Sequence, residues 1–261
     1  MRPVLKVILA VATLALAAPL AAQTKLKWAH VYETSEPFHK WSVWAAAEIE
    51  KRTNGRYHID VFPASSLGKE SDINQGLTLG TVDMIISGLS VAARTMPRRG
   101  VGDSLRVPDA PLYTMFPRAV GANSTPIAFA EVYLALQNGT VDAQENPLTT
   151  IEAKKFYEVQ KNIILTGHIV DSLATQVAPH VWNKLSDADK RVFFDVTREA
   201  AANATADIKK REAQLADEFR KKGLNVHAVD KTSFQDAIMK TVSLESMGYS
   251  KADWDKIQAI K

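Results

Sequence analysis

A junction that occurs twice in the sequence limits the possible folds more than any other feature. Gly-Thr-Val-Asp is found at 80–83 and again at 139–142, each time after a leucine-containing, helix-like segment. Glycine readily adopts the left-handed backbone conformation with which helices often end. The repeat predicts two similar α/β halves, although helix–glycine–strand junctions are common in any α/β protein.

Strand-like and helix-like segments alternate along the chain, which predicts right-handed βαβ units and parallel sheets. The predicted strands are 25–31, 57–62, 84–86, 105–107, 126–128, a segment that begins at 141, and 224–228. The predicted helices run from Pro37 to near Gly55, from Ser71 to 79, over 112–120 and 131–137, from Ser186 to Gly223, and from Lys251. Ser186 and Asp189 form the pattern of a capping box. Apolar residues at helical spacing predict that the long helix after Ser186 packs across the body of the protein.

The N-terminus has the layout of a secretory signal peptide. Arg2 and Lys6 form a positively charged region, an apolar run follows over 7–18, and Leu20-Ala21-Ala22 offers a processing site. A membrane anchor is the alternative, but the uncharged stretch is short and ends in polar residues. We therefore expect export to the periplasm, removal of residues 1–22 and no stable membrane insertion afterwards.

Composition and motifs argue against several classes of function. The 32 basic and 29 acidic residues are spread along the chain, which does not favour a nucleic-acid surface. The absence of cysteine excludes disulfides, thiolate metal sites and a thiol nucleophile. The six histidines lack metal-site spacing, and the sequence has no nucleophile elbow, P-loop or dinucleotide fingerprint. We expect no metal, no cofactor and no catalysis.

One arginine lies where its charge needs a partner. Arg106 interrupts the otherwise apolar strand predicted at 105–107. The planar guanidinium group matches a carboxylate through two parallel hydrogen bonds. The partner is either a ligand in a cleft or an internal carboxylate, Asp109 or Glu145, and the spacing alone leaves both interpretations open.

A series of motifs follows in order along the chain. The main motifs are Lys-Trp-Ala-His at 27–30, Val-Phe-Pro at 61–63, Gly-Thr-Val-Asp at 80–83, Leu-Arg-Val-Pro at 105–108, Phe-Ala-Glu-Val-Tyr at 129–133, Gln-Glu-Asn-Pro at 144–147 and Lys-Phe-Tyr-Glu-Val-Gln-Lys at 155–161. This series resembles the TRAP-type (tripartite ATP-independent periplasmic) transporter solute-binding proteins of the DctP-like family. The resemblance extends over nearly the whole mature chain, and the ordered series is specific where a single motif is not.

The resemblance implies an α/β, bilobal periplasmic-binding-protein-like fold with two βαβ lobes and a long connecting helix. The lobes are expected to close on a small organic acid and to deliver it to the membrane subunits of a TRAP transporter. The expected division of the chain is a signal peptide at 1–22, a first lobe at 23–103, a second lobe at 104–185, and the long helix with C-terminal elements at 186–261.

The resemblance also implies the ligand-binding residues. Arg106 is expected to clamp the carboxylate, Phe129 to pack against the carbon skeleton and Asn146 to hydrogen-bond the ligand. His168 is expected to line the pocket, and Val31 and Tyr32 to contribute from the other lobe. For each residue, a packing or capping role is the alternative.

The chain departs from the family pattern at one place, because its fold is incomplete in the middle. In the family, several dozen residues separate a segment like 100–103 from the Arg-Val-Pro strand, whereas here 103 is followed directly by 104–107. The missing stretch would carry a hinge crossing, parts of both lobes and a further family arginine. Because lost strands expose sheet edges and core, we expect reduced stability and a defective pocket. A non-binding remnant and a periplasmic hydrolase therefore stay open as alternatives to a working binding protein.

Overall fold

The computed structural model of the protein describes residues 23–88, 104–107, 111–119, 121–241, 243 and 250–259. The predicted signal peptide and the predicted break after Asp103 lie outside these residues. The strands are β1 (Thr24–Ala29), β2 (Tyr57–Phe62), β3 (Met84–Gly88), β4 (Ser104–Val107), β5 (Asn123–Pro126), β6 (Ala143–Gln144), β7 (Asn162–Leu165), β8 (Leu173–Val177) and β9 (Asn225–Ala228). The helices are α1 (Pro37–Arg52), α2 (Glu70–Leu79), α3 (Pro111–Ala119), α4 (Val132–Gln137), α5 (Leu148–Ala153), α6 (Pro179–Trp182), α7 (Asp187–Lys221), α8 (Lys231–Thr241) and α9 (Lys251–Gln258).

The first lobe is built around a sheet with the strand order β2-β1-β3-β8. β1 lies parallel to both β2 and β3, and β8 pairs antiparallel with β3. All of β3 is buried, because Met84 and Ile86 join one apolar cluster and Ile85 joins another. Successive strand side chains point to opposite faces, so both faces of this sheet are covered. Ile49 of α1 and Ile73 of α2 belong to the two different clusters.

The second lobe contains two short parallel sheets. One has the order β5-β4-β6, and the other pairs β7 with β9. A single apolar cluster includes Ile163 of β7, Val132 of α4 and Ile151 of α5. The mixed α/β, bilobal fold predicted from the sequence is thus confirmed.

The repeated Gly-Thr-Val-Asp junction has the predicted geometry in both places. Gly80 follows α2 with a φ of 77°, and Gly139 follows α4 with a φ of 72°. Both values lie in the left-handed region that favours glycine. In each copy the residue after the aspartate begins a strand, β3 in the first case and β6 in the second.

The long helix α7 connects the two lobes. The backbone N–H of Asp189 donates to the Ser186 hydroxyl at 3.1 Å, so the predicted cap is present. Phe193 near the start of α7 belongs to a cluster of the first lobe, whereas Phe219 near its end belongs to the cluster of the second lobe. The helix therefore packs across the body of the protein, as its apolar spacing predicts.

Three local predictions need correction or addition. α2 begins after Lys69 rather than at Ser71, because the Asp72 carboxylate accepts the Lys69 backbone N–H at 3.2 Å. The strand predicted at 126–128 lies at Asn123–Pro126 instead, since the chain turns into a 3₁₀ helix at Phe129–Glu131. Third, no prediction covers α5, α6, α8, β7 or β8.

β8 falls within the range 104–185 that is predicted for the second lobe, but it pairs with β3 of the first sheet. The predicted domain ranges themselves stay a prediction. Within the described part of the chain, no helix combines the length and apolarity needed to cross a bilayer.

Candidate ligand-binding site

The predicted ligand-binding residues lie close to the carboxyl ends of parallel strands. β1 ends at Ala29, and Val31 and Tyr32 follow it after a single intervening residue. Phe129 follows β5, Asn146 follows β6 and His168 follows β7. In open α/β sheets, ligands bind in the crevice outside the carboxyl ends of the strands. The chain thus directs these residues toward the kind of edge that binds ligands.

Arg106 lies in the middle strand of the β5-β4-β6 sheet. Its backbone is opposite Thr125 on one side and Gln144 on the other. The side chain of Arg106 and the residue Asp109 lie outside the part of the chain that is described. Its role as a clamp therefore stays a prediction, and so does the internal salt bridge.

Asn146 is held beside the strand that neighbours Arg106. Its Nδ2 donates to Gln144 Oε1 at 2.6 Å, and both side chains are partly buried. Gln144 is opposite Arg106 in the sheet, so the amide of Asn146 is bonded to the residue that pairs with Arg106. This placement is compatible with the predicted hydrogen bond to a ligand.

Phe129 joins the two lobes. It packs against the first-lobe cluster that contains Val31 and against which Tyr32 also packs. Its ring centroid is also 6.5 Å from that of Phe156 in the second lobe, at 84°, which is an edge-on contact. The Lys154 ammonium lies 4.6 Å from the Phe129 ring centroid. The structure thus brings together Val31, Tyr32 and Phe129.

Tyr32 has an apolar side and a polar side. Its ring centroid is 4.4 Å from that of Phe38. Burial, followed by the negative charges of Glu70 and Glu36, holds the pKa of Tyr32 well above its usual range. The phenol therefore keeps its proton and remains a hydrogen-bond donor at neutral pH.

A tyrosine–aspartate pair of the second half of the chain faces the same region. Tyr113 of α3 donates its hydroxyl hydrogen to Asp171 Oδ2 at 2.8 Å. Tyr113 and Asp171 also contribute to the electrostatic environment that raises the pKa of Tyr32. Sequence reasoning missed this pair, because the two residues are 58 positions apart and belong to different motifs.

His30 supports the backbone of Tyr32. Its Nδ1 accepts the backbone N–H of Tyr32 at 3.2 Å, and its Nε2 is 3.3 Å from Nδ1 of His39. Burial, reinforced by the proximity of His39, lowers the pKa of His30 to about 4. The neutral ring therefore carries its hydrogen on Nε2 and donates it to His39. The sequence placed His30 in a motif without indicating this role.

His168 is packed in a different environment from Phe129. Its ring centroid is 4.5 Å from that of Phe116, and its Nδ1 is 2.6 Å from the Thr166 hydroxyl. Burial lowers the pKa of His168, so the ring is neutral. Its Nε2 is buried and meets no hydrogen-bond partner among the described residues. A role in the pocket stays a prediction for this residue.

Two polar contacts tie the loop after β1 to α5. The hydroxyl of Thr150 donates to Glu36 Oε1 at 2.9 Å, and Lys154, just after α5, forms an ion pair with Glu33. Glu36 and Thr150 are only 2% and 3% exposed. Sequence reasoning missed these contacts, although two acidic residues in the loop beside the site were a signal that could have directed attention there.

Within the described residues, no group of three or more His, Asp or Glu side chains is arranged to hold a metal ion. The arrangement offers aromatic surface, amides and neutral hydroxyl donors, which are groups that bind and orient a small ligand.

The sequence profile of one protein family matches most of the chain. The family is described as "Bacterial extracellular solute-binding protein, family 7" (DctP), and its profile matches residues 28–103 and 101–246. The chain belongs to this DctP family.

Individual DctP-family relatives align along most of the chain. The sialic acid-binding periplasmic protein SiaP of Vibrio cholerae is 28% identical over 299 positions, which cover 91% of this chain and 93% of SiaP. A solute-binding protein of Roseobacter denitrificans is 30% identical over 299 positions, which cover 90% of this chain and 92% of the relative. TRAP-type solute-binding proteins are thus the homologues of this chain.

Solved structures of such proteins share the fold. The Roseobacter denitrificans protein with bound L-galactonate has a TM-score of 0.75 at 29% identity, covering 85% of this chain and 96% of that chain. A Polaromonas TRAP periplasmic solute-binding protein bound to D-erythronate has a TM-score of 0.82 at 25% identity, covering 92% of this chain and 99% of that chain.

The alignments also bear on the predicted break. They extend over 299 positions, which is more than the 261 residues of this chain, so the relatives contain residues that this DctP-family member lacks. The profile matches in two segments that meet at 101–103. This meeting point coincides with the break predicted after Asp103.

Proposed function

We propose that the protein is the extracytoplasmic solute-binding component of a TRAP transporter and captures a small hydroxylated organic acid between its two lobes. The observation that carries the proposal is the meeting of Val31 and Tyr32 from the first lobe with Phe129 of the second, in a chain of the DctP family. The function is binding and delivery, without a chemical step.

Arg106 is the residue proposed to recognise the carboxylate. A guanidinium group offers two parallel donors to the two oxygens of a carboxylate. Asn146, whose side chain is bonded to the residue opposite Arg106, supplies an amide, while Phe129 supplies a flat apolar surface for the carbon chain. The three groups together distinguish an acid from a neutral molecule of the same size.

Hydroxyl groups on the ligand would meet the polar side of the cleft. Tyr32 and the hydrogen-bonded pair Tyr113–Asp171 would offer donors and acceptors to them. A site built to hydrogen-bond hydroxyl groups rejects analogues that lack them, because its buried polar groups are then left unpaired. The solved relatives with L-galactonate and D-erythronate hold acids of this hydroxylated class, which supports the assignment.

Closure and delivery complete the proposal. The loop after β1 carries Tyr32 and contacts α5 through the pair Glu36–Thr150, so a ligand bound at Phe129 and Tyr32 would stabilise contact between the lobes. We infer that signal-directed export places the protein in the periplasm and that the ligand-bound form docks on the membrane subunits.

A ligand screen tests this function. Thermal unfolding of the mature protein is measured with D-erythronate, L-galactonate and succinate, and with erythritol as a neutral polyol that lacks the carboxylate. We expect a cooperative transition that the hydroxy acids raise and that erythritol leaves unchanged. Absence of any shift with the acids, or an equal shift with erythritol, would contradict the proposal and favour a non-binding remnant.

A further inference from the structure

A second cleft has a lining that differs from the residues of the candidate ligand-binding site. It has a volume of about 540 Å³ and lies between the start of α1, the end of α5 and the middle of α7. This volume is within the range of small-molecule sites. None of the six residues predicted to bind the transported ligand lines this cleft.

Three lysines from separate elements line the cleft. Lys40 comes from α1, Lys155 follows α5 and Lys210 comes from α7. In the described part of the chain, none of the three has an ion-pair partner within contact distance. All three lysines are exposed at one concave surface, and positive charges so placed attract an anion.

The acidic groups around the cleft are mostly engaged elsewhere. Glu152 Oε2 accepts from Nε of Arg211 at 3.0 Å, so this pair neutralises itself. The Glu36 carboxylate accepts from the hydroxyl of Thr150 and from a backbone N–H.

The remaining acidic group, Asp207, accepts the indole N–H of Trp41 at 2.8 Å. The cleft is lined by four basic residues, the three lysines and Arg211, against three acidic ones, so its charge is positive by one.

The backbone fixes one of the lysines in place. Lys155 has a φ of 57°, a left-handed conformation that side-chain-bearing residues rarely adopt. It is held between the end of α5 and the 3₁₀ turn Phe156–Glu158, whose Phe156 is buried. The side chain of Lys155 therefore leaves a fixed point of the backbone at the wall of the cleft.

We propose that this cleft is a second binding site and takes a small polyvalent anion, a di- or tricarboxylate or a phosphate. Lysine ammonium groups suit such ligands because they act as point charges that do not demand one ligand shape. The walls come from the first lobe, the second lobe and α7, so occupation of the cleft favours one relative position of the lobes. The site thus links the anion content of the surroundings to lobe closure.

Calorimetric titration with citrate and with inorganic phosphate, at constant ionic strength, tests the site. The cleft variant carries Lys40→Gln, Lys155→Gln and Lys210→Gln together. The matched control carries Lys25→Gln, Lys161→Gln and Lys209→Gln, which remove the same charge from exposed positions outside the cleft. Thermal unfolding checks that both variants fold, and the single variant Lys210→Gln replaces the triple if it does not.

We expect saturable binding of at least one of the two anions to the unmodified protein. Binding should be at least tenfold weaker in the cleft variant and unchanged in the control. An Arg106→Ala variant should retain it, because the cleft is separate from the site proposed for the transported acid. Equal weakening in both triple variants, loss of binding in Arg106→Ala, or no saturable binding to the unmodified protein would each overturn the proposal.

Discussion

Thr150 of the second lobe donates its hydroxyl hydrogen to the buried carboxylate of Glu36 in the first lobe, with 2.9 Å between Oγ1 and Oε1. The other oxygen of Glu36 accepts the backbone N–H of Glu33 at 2.7 Å. This pair of bonds satisfies a carboxylate that is almost inaccessible to water, and burial raises its pKa. The loop that carries Tyr32 is thereby fixed to α5.

Replacing Thr150 by valine should destabilise the protein through this contact. The variant keeps the shape of the side chain but leaves a buried oxygen of Glu36 without its donor, so we expect a loss of about 1–3 kcal/mol in the free energy of unfolding. Urea unfolding at pH 7 measures it. Thr197→Val is the control, because the Thr197 hydroxyl bonds only to carbonyls of its own helix, at 2.7 Å and 3.2 Å. Equal effects of the two substitutions would show that the contact between lobes contributes nothing.

Acid should destabilise the fold through His30. Its pKa is lowered from 6.5 to about 4, mainly by burial and secondarily by His39. At a pH between these two values, the folded protein therefore binds fewer protons at this ring than the unfolded chain does. The contribution of His30 to stability is therefore present above its unfolded pKa and is lost as the pH falls toward 4. A shift of this size corresponds to about 3 kcal/mol.

Unfolding by urea at several pH values between 7 and about 4 checks the His30 prediction. His30→Gln should flatten the pH dependence relative to the unmodified protein. His58→Gln should not, because the pKa of the His58 ring is raised by its hydrogen bond to Glu50 and its contribution has the opposite sign. A parallel pH dependence in the His30→Gln variant would refute the assignment.

Lys154 should matter for ligand affinity although it was not predicted as a site residue. Lys154 pairs with Glu33 and lies over the ring of Phe129, so it holds both the loop after β1 and Phe129 at the candidate ligand-binding site. We expect Lys154→Gln to weaken acid binding by roughly tenfold, in keeping with the loss of a contact worth 1–2 kcal/mol. Calorimetry measures the affinity, with the exposed Lys161→Gln as the control. Unchanged affinity in Lys154→Gln would remove Lys154 from the account of the site.

Asn146→Asp should weaken acid binding through charge repulsion. The change is nearly isosteric and places a negative charge beside the sheet edge where the ligand carboxylate is proposed to bind. We expect a loss of at least about tenfold, because like charges in a partly buried site repel strongly. Asn183→Asp, at an exposed position, adds the same charge elsewhere and should leave the affinity unchanged. If both variants bind equally well, Asn146 does not face the carboxylate.

Much of the fold could be predicted because local signals determine it. The strand at 57–62 is predicted with its observed bounds, since its apolar alternation and the following Pro63 are unambiguous. Gly80 and Gly139 mark helix ends because their backbone conformation needs glycine. α7 is predicted from apolar spacing and the Ser186 cap. In each case neighbouring residues carry the information.

Contacts between distant segments could not be predicted in the same way. The Glu36–Thr150 contact joins residues 114 positions apart, and the pair Tyr113–Asp171 spans 58. Such pairs depend on how the lobes pack, which no local pattern determines. β5 lies at Asn123–Pro126 rather than at 126–128, and the 3₁₀ turn Phe129–Glu131 begins directly after the range predicted as a strand.

Calorimetric titration of the unmodified protein and of Arg106→Ala with the hydroxy acid that binds best in the screen tests the central claim most directly. The account predicts that the unmodified protein binds one acid per chain and that Arg106→Ala binds it at least about thirtyfold more weakly, because a charged hydrogen-bond partner of the carboxylate is lost. Equal affinity of the two proteins would contradict the account, since the guanidinium group of Arg106 would then not hold the acid.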